Sequence, residues 1–431
     1  MLIRIIICTV ILLLFHHGYS QRKTDQELVS ILNSSKNELL QKVLSDTHTY
    51  RCQIIYTEIN RDKQNRPSFK NYYFNYDPLL YFNPASMVKL PLALLSLEKL
   101  NRLNKPGVNK YTTIQFDSSY PGQRKLYKDS TSTNGLPSIA HFIRRAFLIS
   151  ENDPYNRFYQ FVGQQEANRN LHAKGYPGTR ITRQFMGFTE DQNRHTNAIR
   201  FIDENGKLLY SQPPALNTDS FDFSHIVLMG KAYVNRNDSL VHAPFDFTRH
   251  NNFPLGDMRQ ILQSVLFPSS VPATQRFNLT SDDYSFVYRY LSQYPSETSY
   301  PKYDTSEFYD SYVKFFFRDS THRMPQHVRI FNKVGWSYGF LTDVSYVMDF
   351  ENKIEYMLAA TVYVNSDEVL NDSKYDYNTI GHPFLYELGQ TIYRYELQRK
   401  RKYKPDLSQF RIKYEKRDPA DGRAALKEVD N

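Results

Sequence analysis

Strand-like segments near both ends of the chain constrain the fold more than any other feature of the sequence. Apolar and aromatic residues form strand patterns in "YRCQIIYTEI" and "SFKNYYFNYD", which follow a helical pattern over residues 25–45. Near the other end, "HVRIFNKVG", "YGFLTDVSYVMDF" and "KIEYMLAATVYV" predict three more strands, and a long amphipathic helix covers about 378–398. The patterns between them are largely helical. The sequence therefore predicts an α+β fold in which strands from both ends form one sheet and a helical region packs against it.

The first twenty residues, "MLIRIIICTVILLLFHHGYS", have the pattern of a secretory signal peptide. Arg4 supplies the positive start, residues 5–15 the apolar core, and residues 18–20 a cleavage site with small residues at its two ends. The alternative is an uncleaved membrane anchor, but the apolar run is short for a bilayer span. We therefore expect an exported protein, periplasmic or secreted, that has no stable membrane span after cleavage.

Cysteine content and charge narrow the class of protein further. Cys8 leaves with the signal peptide, so Cys52 is the only cysteine of the mature chain, and an intramolecular disulfide is excluded. The net charge is +9, but residues 399–431 alone hold 11 Lys and Arg against 6 Asp and Glu. A basic excess confined to one end predicts a charged, flexible tail over 401–431 and no nucleic-acid partner. Contact of this tail with an anionic surface stays open.

Ser-x-x-Lys strings at Ser86–Lys89, Ser96–Lys99 and Ser311–Lys314 each place a lysine three residues after a serine. Residues three apart on a helix share a face, so the lysine can act as the base that a serine nucleophile needs. A helix N-terminus adds free N–H groups and a positive dipole end for a developing oxyanion. Only Ser86 begins its predicted helix, directly after the Asn83-Pro84 start signal. Ser86 is therefore the candidate nucleophile.

Two further elements follow Ser86 in order. Residues 150–152 read Ser-Glu-Asn between two predicted helices, and residues 333–335 read Lys-Val-Gly, followed by Tyr-Gly at 338–339 and Asp-Val at 343–344. Ser-x-x-Lys, Ser-Asp-Asn and Lys-Thr-Gly are the signature of class A β-lactamases and penicillin-binding proteins. The chain thus resembles a serine hydrolase of the β-lactamase and penicillin-binding-protein superfamily, nearest its class A branch.

The resemblance extends over residues 25–200 and 326–400. It implies a five-stranded antiparallel sheet flanked by helices, in a serine hydrolase domain over 21–400. Residues of about 204–325 form an insertion that the resemblance does not cover. The tail over 401–431 is likewise outside it.

The resemblance also implies roles for individual residues. Ser86 would be acylated, with Lys89 as its base or proton relay, and Ser150 would pass a proton to the leaving nitrogen. Lys333 would lower the pKa of Lys89 and attract a substrate carboxylate. The remaining implied positions are the backbone N–H of Trp336 in an oxyanion hole and the substrate-binding residues Asn152, Val334, Gly335 and Ser337. Val334 stands where the family has Thr or Ser, which removes a hydroxyl that binds substrate, and Glu151 stands where it has Asp.

The deacylation loop departs most from the family pattern. Class A enzymes carry a Glu followed four residues later by an Asn, which together position a hydrolytic water. Here Glu190 is followed at that distance by Arg194, so the spacing fails. Glu190 or Asp191 are the candidates for this role, with Asn193 or Asn197 holding the water. A solvated acidic loop is the alternative interpretation of the two carboxylates.

Three functions fit these observations. A β-lactamase is the leading one, a D-Ala-D-Ala carboxypeptidase or related penicillin-binding acyl hydrolase the second, and a non-catalytic cell-wall-binding protein the third. The expected partner is a small-molecule β-lactam or a cell-wall peptide. No metal or other cofactor is expected, because the histidines lack ligand spacing such as His-Glu-x-x-His. The sequence does not indicate an oligomeric state.

Overall fold

The structure is a computed structural model that describes residues 22–429, so the predicted signal peptide lies outside the described residues. Its α-helices within this range are α1 (Gln26–Asn33), α2 (Glu38–Ser45), α3 (Lys89–Leu103), α4 (Ile139–Leu148), α5 (Asn152–Val162), α6 (Gln164–Ala173), α7 (Glu190–Arg194), α8 (Leu255–Leu266), α9 (Ser281–Ser292) and α10 (His382–Gln398). None of the helices between residues 22 and 429 has both the length and the apolar character needed to cross a bilayer.

The β-strands of the described chain are β1 (Gln53–Arg61), β2 (Pro67–Phe74), β3 (Thr113–Asp117), β4 (Ala198–Ile202), β5 (Leu208–Gln212), β6 (Leu228–Met229), β7 (Ala232–Val234), β8 (Leu240–Val241), β9 (Phe245–Asp246), β10 (Val328–Ser337), β11 (Phe340–Asp349), β12 (Ile354–Tyr363) and β13 (Val369–Leu370). A central five-stranded sheet has the order β10-β11-β12-β1-β2. All its neighbouring strands are antiparallel, and β1 joins β12 with Gln53 opposite Thr361. The predicted α+β class, with one antiparallel sheet from both ends of the chain, is confirmed.

Helices cover both faces of this sheet. β11 and β12 are buried at every position, as central strands covered on both faces should be. α1 and α2 pack with α10 over one face, where the free thiol of Cys52 is also buried. α8 and α9 contact the sheet from the opposite face. Both of these helices lie within the predicted insertion at 204–325, which therefore supplies part of the layer that covers the sheet.

α3 forms the centre of the helical region. It is apolar on nearly all sides and packs against α4, α5 and α6, as expected for a buried helix. A 3₁₀ turn, Ala85–Val88, precedes α3, so the α-helix begins at Lys89 and Ser86 lies in the turn that leads into it. The structure thereby places the candidate nucleophile at the junction between the helical region and the sheet.

The C-terminal segment differs from the flexible tail that the sequence predicts. Phe410 is 1% exposed and packs among Phe267, Tyr288, Phe331 and Tyr346. Farther along, the Arg417 guanidinium donates to backbone carbonyls of residues 295 and 298, and residue 426 pairs with residue 303. Counting charges over this segment missed its few apolar side chains, which are enough to hold it against the body.

Candidate active site

The turn that carries Ser86 is fixed by short-range hydrogen bonds. Asn83 accepts from the Ala85 N–H through its side-chain oxygen at 2.8 Å, and the Met87 N–H donates to the Pro84 carbonyl at 2.9 Å. Ala85 has a φ of 44°, in the left-handed region that alanine seldom adopts. This strained residue directly precedes Ser86, whose side chain is directed toward Lys89 at the start of α3.

Lys89 lies at the centre of the site and has no exposed surface. Its Nζ is 2.5 Å from Ser86 Oγ and 2.8 Å from Asn152 Oδ1, and it also donates to the Ser150 carbonyl. Burial lowers the pKa of Lys89 well below the usual value, the charge of Lys333 lowers it further, and Glu151 partly opposes both effects. A lysine held in this way loses its proton at a lower pH than a free lysine, and its neutral form can take a proton from Ser86.

Ser150 connects the two lysines. It lies between α4 and α5 with a φ of 70°, and its Oγ is 2.7 Å from Lys333 Nζ and 3.4 Å from Lys89 Nζ. The neighbouring Glu151 is buried and accepts from Arg145 at 2.5 and 2.8 Å and from the Tyr303 hydroxyl at 2.5 Å. Glu151, which stands where the resembled family has Asp, thus ties the Ser150 turn to Arg145 and to the buried Tyr303.

Lys333 approaches from β10. It is 2% exposed, and besides Ser150 its Nζ donates to the Val334 carbonyl at 2.8 Å. Burial lowers the pKa of Lys333 well below the usual value; Asp343 opposes this effect and Lys314 adds to it. Ser86, Lys89, Ser150 and Lys333, four residues predicted from three separate motifs, therefore form one continuous group of side chains.

Gly335 allows β10 to pass against the Ser86 turn. A Cβ atom at this position would lie 2.5 Å from the Pro84 carbonyl oxygen and 3.1 Å from the backbone nitrogen of Ser86. β10 is an edge strand of the sheet, and such strands leave alternate backbone groups without a partner in the sheet. The backbone around Gly335 and Trp336 is therefore brought next to the Ser86 N–H, where the resemblance places an oxyanion hole. The Trp336 ring packs on Tyr312 and Phe315.

Val334 is placed differently from the sequence prediction. Its side chain is 1% exposed and belongs to the apolar layer formed by α1, α2 and α10. Successive side chains of a strand point to opposite faces, so Lys333 and Gly335 face the site while Val334 faces away. The predicted substrate-binding role is therefore not supported for the side chain of Val334. Ser337 does line the cleft, with its Oγ 3.3 Å from Asn83 Oδ1.

The two carboxylates predicted for deacylation are engaged elsewhere. Glu190 pairs with Arg249 at 2.8 Å, and Asp191 accepts a hydrogen bond from Tyr120. Both side chains are mostly exposed, and neither hydrogen-bonds to Ser86 or Lys89 within the described chain. Asn193 and Asn197 hold backbone groups, the Gln184 N–H and the Asp117 carbonyl, at 2.8 Å. The predicted hydrolytic loop is therefore not assembled at the nucleophile.

An aromatic ring covers Lys89 instead. The Phe185 ring centroid lies 5.3 Å from Lys89 Nζ, within the range of a cation–π contact. Phe185 belongs to a loop between α6 and α7 that lines the cleft over Ser86. Sequence reasoning did not find this loop, because "RQFMG" carries no motif and its position depends on contacts with residues far along the chain. Asn251, for example, accepts from the N–H groups of Thr182 and Arg183 at 2.7 and 3.0 Å.

The cleft has a volume of about 460 Å³. Ser86, Asn152 and Ser337 line it as the sequence predicts. The lining residues that the sequence analysis did not single out include Arg183, Gln184, Phe185, Met186, Arg236, His250, Asn251, Tyr338 and Asn371. Among residues 22–429, no three His, Cys, Asp or Glu side chains are grouped as metal ligands. The cleft thus offers a nucleophile and its base at one side and two arginines at the other.

Comparisons with known proteins add a family match. Residues 36–205 match the model of the beta-lactamase enzyme family. Among solved structures, the chain is similar to a beta-lactamase from Francisella tularensis, with 13% identity, a TM-score of 0.47, and 85% of this chain and 99% of that chain covered. It is also similar to PBP-A, with 11% identity, a TM-score of 0.47, and 84% and 96% covered. No curated protein matches the chain.

Proposed function

We propose that this chain is a serine hydrolase that forms an acyl-enzyme on Ser86, and the match of residues 36–205 to the beta-lactamase enzyme family supports the proposal. The observation that carries the proposal is the 2.5 Å contact between Ser86 Oγ and the Nζ of a fully buried Lys89. Its substrates would be β-lactam amides or cell-wall peptides. Export of the protein, as the pattern of residues 1–20 indicates, would bring it to such substrates.

In the acylation step, Ser86 Oγ bonds to the carbonyl carbon of the substrate amide while neutral Lys89 takes the hydroxyl proton. The N–H groups of Ser86 and Trp336 stabilise the oxyanion. The C–N bond then breaks, and the leaving nitrogen receives the proton through Ser150, which Lys333 holds at 2.7 Å. The proton lost by the serine is thus returned to the nitrogen.

Slow release of the acyl group follows from the residues around it. The phenyl ring of Phe185 covers Lys89, and the carboxylates of Glu190 and Asp191 are bound to other partners. No Asp or Glu among residues 22–429 lines the cleft, so a water molecule there has no carboxylate base from this part of the chain to take its proton. We propose that a β-lactam remains attached to Ser86, the behaviour of a penicillin-binding protein or a carboxypeptidase of that type. Rapid β-lactamase turnover is the second candidate, because neutral Lys89 is itself placed to activate a water.

Mass spectrometry of the purified protein after mixing with benzylpenicillin tests this proposal. Because the leaving nitrogen of a β-lactam stays tethered, acylation adds the mass of the whole drug. We expect a single adduct on the peptide that contains Ser86, and we expect it to persist through a time course. Rapid loss of the adduct with release of hydrolysed drug would indicate a β-lactamase. A protein that never forms the adduct would be a binding protein without turnover.

The other Ser-x-x-Lys strings supply matched controls. Ser86→Ala should abolish the adduct, whereas Ser96→Ala and Ser311→Ala should form it as the unmodified chain does. Ser96 donates to the Leu92 carbonyl inside α3, and Ser311 is buried away from the cleft, so neither can be reached by a substrate. An adduct that persists in Ser86→Ala would contradict the assignment of the nucleophile.

A further inference from the structure

A second cavity, of about 200 Å³, lies beside the cleft that contains Ser86. The two cavities share Arg183, Arg236 and His250 as lining residues. The second cavity extends from this shared wall toward Arg194 and Arg249. A substrate bound at Ser86 can therefore place a side group at the wall without leaving the cleft.

The charge around this second cavity is mainly positive. Four arginines line it, against the carboxylates of Glu190 and Asp246. Arg249 pairs with Glu190 at 2.8 Å, and Asp246 accepts from the Thr248 N–H at 2.8 Å. The other three arginines, Arg183, Arg194 and Arg236, form no ion pair with a carboxylate within the described residues.

The partners of those three arginines are neutral acceptors. Arg183 donates to His250 Nε2 at 2.8 Å, and Arg194 donates to the carbonyls of Asn217 and Asp219 at 3.0 and 2.8 Å. Arg236 has only a long contact of 3.4 Å with the Gly187 carbonyl. Burial, followed by the charge of Arg183, lowers the pKa of His250 to about 3, so this imidazole is neutral and accepts the bond. These contacts orient the guanidinium groups without pairing them with a carboxylate, and the charge of Arg194 also helps to lower the pKa of Asp219.

Aromatic rings support the same arrangement. The Arg249 guanidinium lies 4.7 Å from the Phe223 ring centroid, and that of Arg194 lies 5.9 Å from Phe221. Stacking on a ring fixes the plane of a guanidinium while its N–H groups stay available at the edge. A planar, bidentate anion is the ligand that such groups bind best, and a carboxylate has that shape.

We propose that this arginine-lined cavity binds a carboxylate carried by the acyl part of the substrate. The assignment to the acyl part rests on the proposed function and on the role that the resemblance implies for Asn152, which is to hold the substrate's side-chain amide. Asn152 lines the cleft together with Arg183. The preferred substrates would then be amides whose acyl side bears a carboxylate, as an acidic peptide does. Uncharged acyl groups would be accepted more slowly.

Two penicillins that differ by one carboxylate test this inference. Benzylpenicillin and its α-carboxy derivative, carbenicillin, share the same ring system, and the rate of adduct formation on Ser86 is measured for each by mass spectrometry. We expect the carboxylated drug to react about tenfold faster at low salt, the effect of one charge-assisted contact. That preference should shrink as sodium chloride is added, because salt screens the charges.

Variants then show which arginines cause the faster reaction of the carboxylated drug. Arg236→Gln and Arg194→Gln should reduce the ratio of the two rates, while Arg200→Gln should leave it unchanged, because Arg200 lies on β4 and pairs with Asp117 at 3.0 Å. Equal rates for the two drugs in the unmodified chain would overturn the inference and leave the proposed function intact. A preference that survives both variants would also overturn it. No adduct with either drug would overturn the proposed function and this inference together. The measurements at increasing sodium chloride use the unmodified chain, so they test the inference even if a variant does not fold.

Discussion

At the scale of single residues, Lys89 has surroundings that favour its uncharged form. Burial and the charge of Lys333 both lower the pKa of Lys89 well below its usual value. The protonated form is thus disfavoured, and the neutral amine is present at a lower pH than for an exposed lysine. Acylation should therefore increase with pH as Lys89 loses its proton and level off well below the range in which free lysine titrates.

Lys333→Met should shift this pH dependence upward. The charge of Lys333 is one of the two causes that lower the pKa of Lys89, so its removal should raise that pKa. The rise of the acylation rate with pH should then occur at higher pH. The rate of Ser86 acylation by benzylpenicillin, measured from about pH 5 to about pH 10, checks this shift. Lys333→Arg keeps the charge, so its acylation rate should rise over the same pH range as that of the original protein. If the acylation rate of Lys333→Met rises over the original pH range, the two lysines are not coupled.

Gly335→Ala should damage the site through a single methyl group. The added Cβ would lie 2.5 Å from the Pro84 carbonyl oxygen, so the Ser86 turn and β10 must separate. A displacement of about 1 Å can lower a rate about 100-fold, and we expect a loss of that order in acylation. Gly422→Ala is the matched control, because a Cβ there meets no atom within 4 Å. A Gly335→Ala protein that reacts at the original rate would show that this contact is not required.

At the scale of elements, Lys314 joins β10 to α9. Lys314 is 1% exposed. Its Nζ donates to the Leu291 carbonyl at the end of α9, to the Ile330 carbonyl and to Asn332 Oδ1, at 2.9, 3.1 and 2.6 Å. Asn332 in turn donates to Asp343 on β11 at 3.0 Å. The lysine of the Ser311–Lys314 string thus has a structural role on the face of β10 opposite Lys333.

Lys314→Met should destabilise the fold by about 3 kcal/mol, because it leaves several buried acceptors without a donor. The free energy of unfolding, from urea denaturation, measures the loss. Lys42→Met, at an exposed position of α2, should change the same quantity by less than about 0.5 kcal/mol. Equal stabilities for the two variants would show that the Lys314 contacts are not required to hold β10.

At the scale of the whole molecule, the C-terminal segment closes an aromatic cluster over the sheet. Phe410 fills the space between Phe267 on the helical side and Phe331 on β10, with ring centroids 5.9 and 5.4 Å apart. Leu407, nearby in the same segment, is also buried. The charged residues around them face outward, so the segment is basic in composition and yet part of the core.

Phe410→Ala should therefore cost about 3–5 kcal/mol of folding free energy, the usual range for removing a buried aromatic ring. Thermal unfolding of the variant and of Lys413→Ala, an exposed position three residues later, provides the comparison. Only Phe410→Ala should unfold at a clearly lower temperature. If both variants unfold at the same temperature as the original protein, the segment does not contribute to the core.

Features set by residues close together in the sequence could be predicted, and contacts between residues far apart in the sequence could not. Ser86 and Lys89 could be paired because three-residue spacing on a helix is local, and the strands of both ends were visible from their apolar runs. Alternation along β10 directs the Val334 side chain away from the site, whereas the resemblance implied a substrate-binding position there. Phe185, Arg183 and Arg236 reach the cleft through loops whose course is set by distant partners, and no local signal marks them.

The joining of β1 to β12 has a consequence for the timing of synthesis. Residue 53 pairs with residue 361, and Ser150 accepts from Lys333, so neither the sheet nor the complete site can form until most of the chain exists. At about 5–20 residues per second, a growing polypeptide spends roughly tens of seconds with Ser86 made and Lys333 absent. During that interval Ser86 lacks the surroundings that the proposed acylation requires, and we expect no reaction between a penicillin and the unfinished chain.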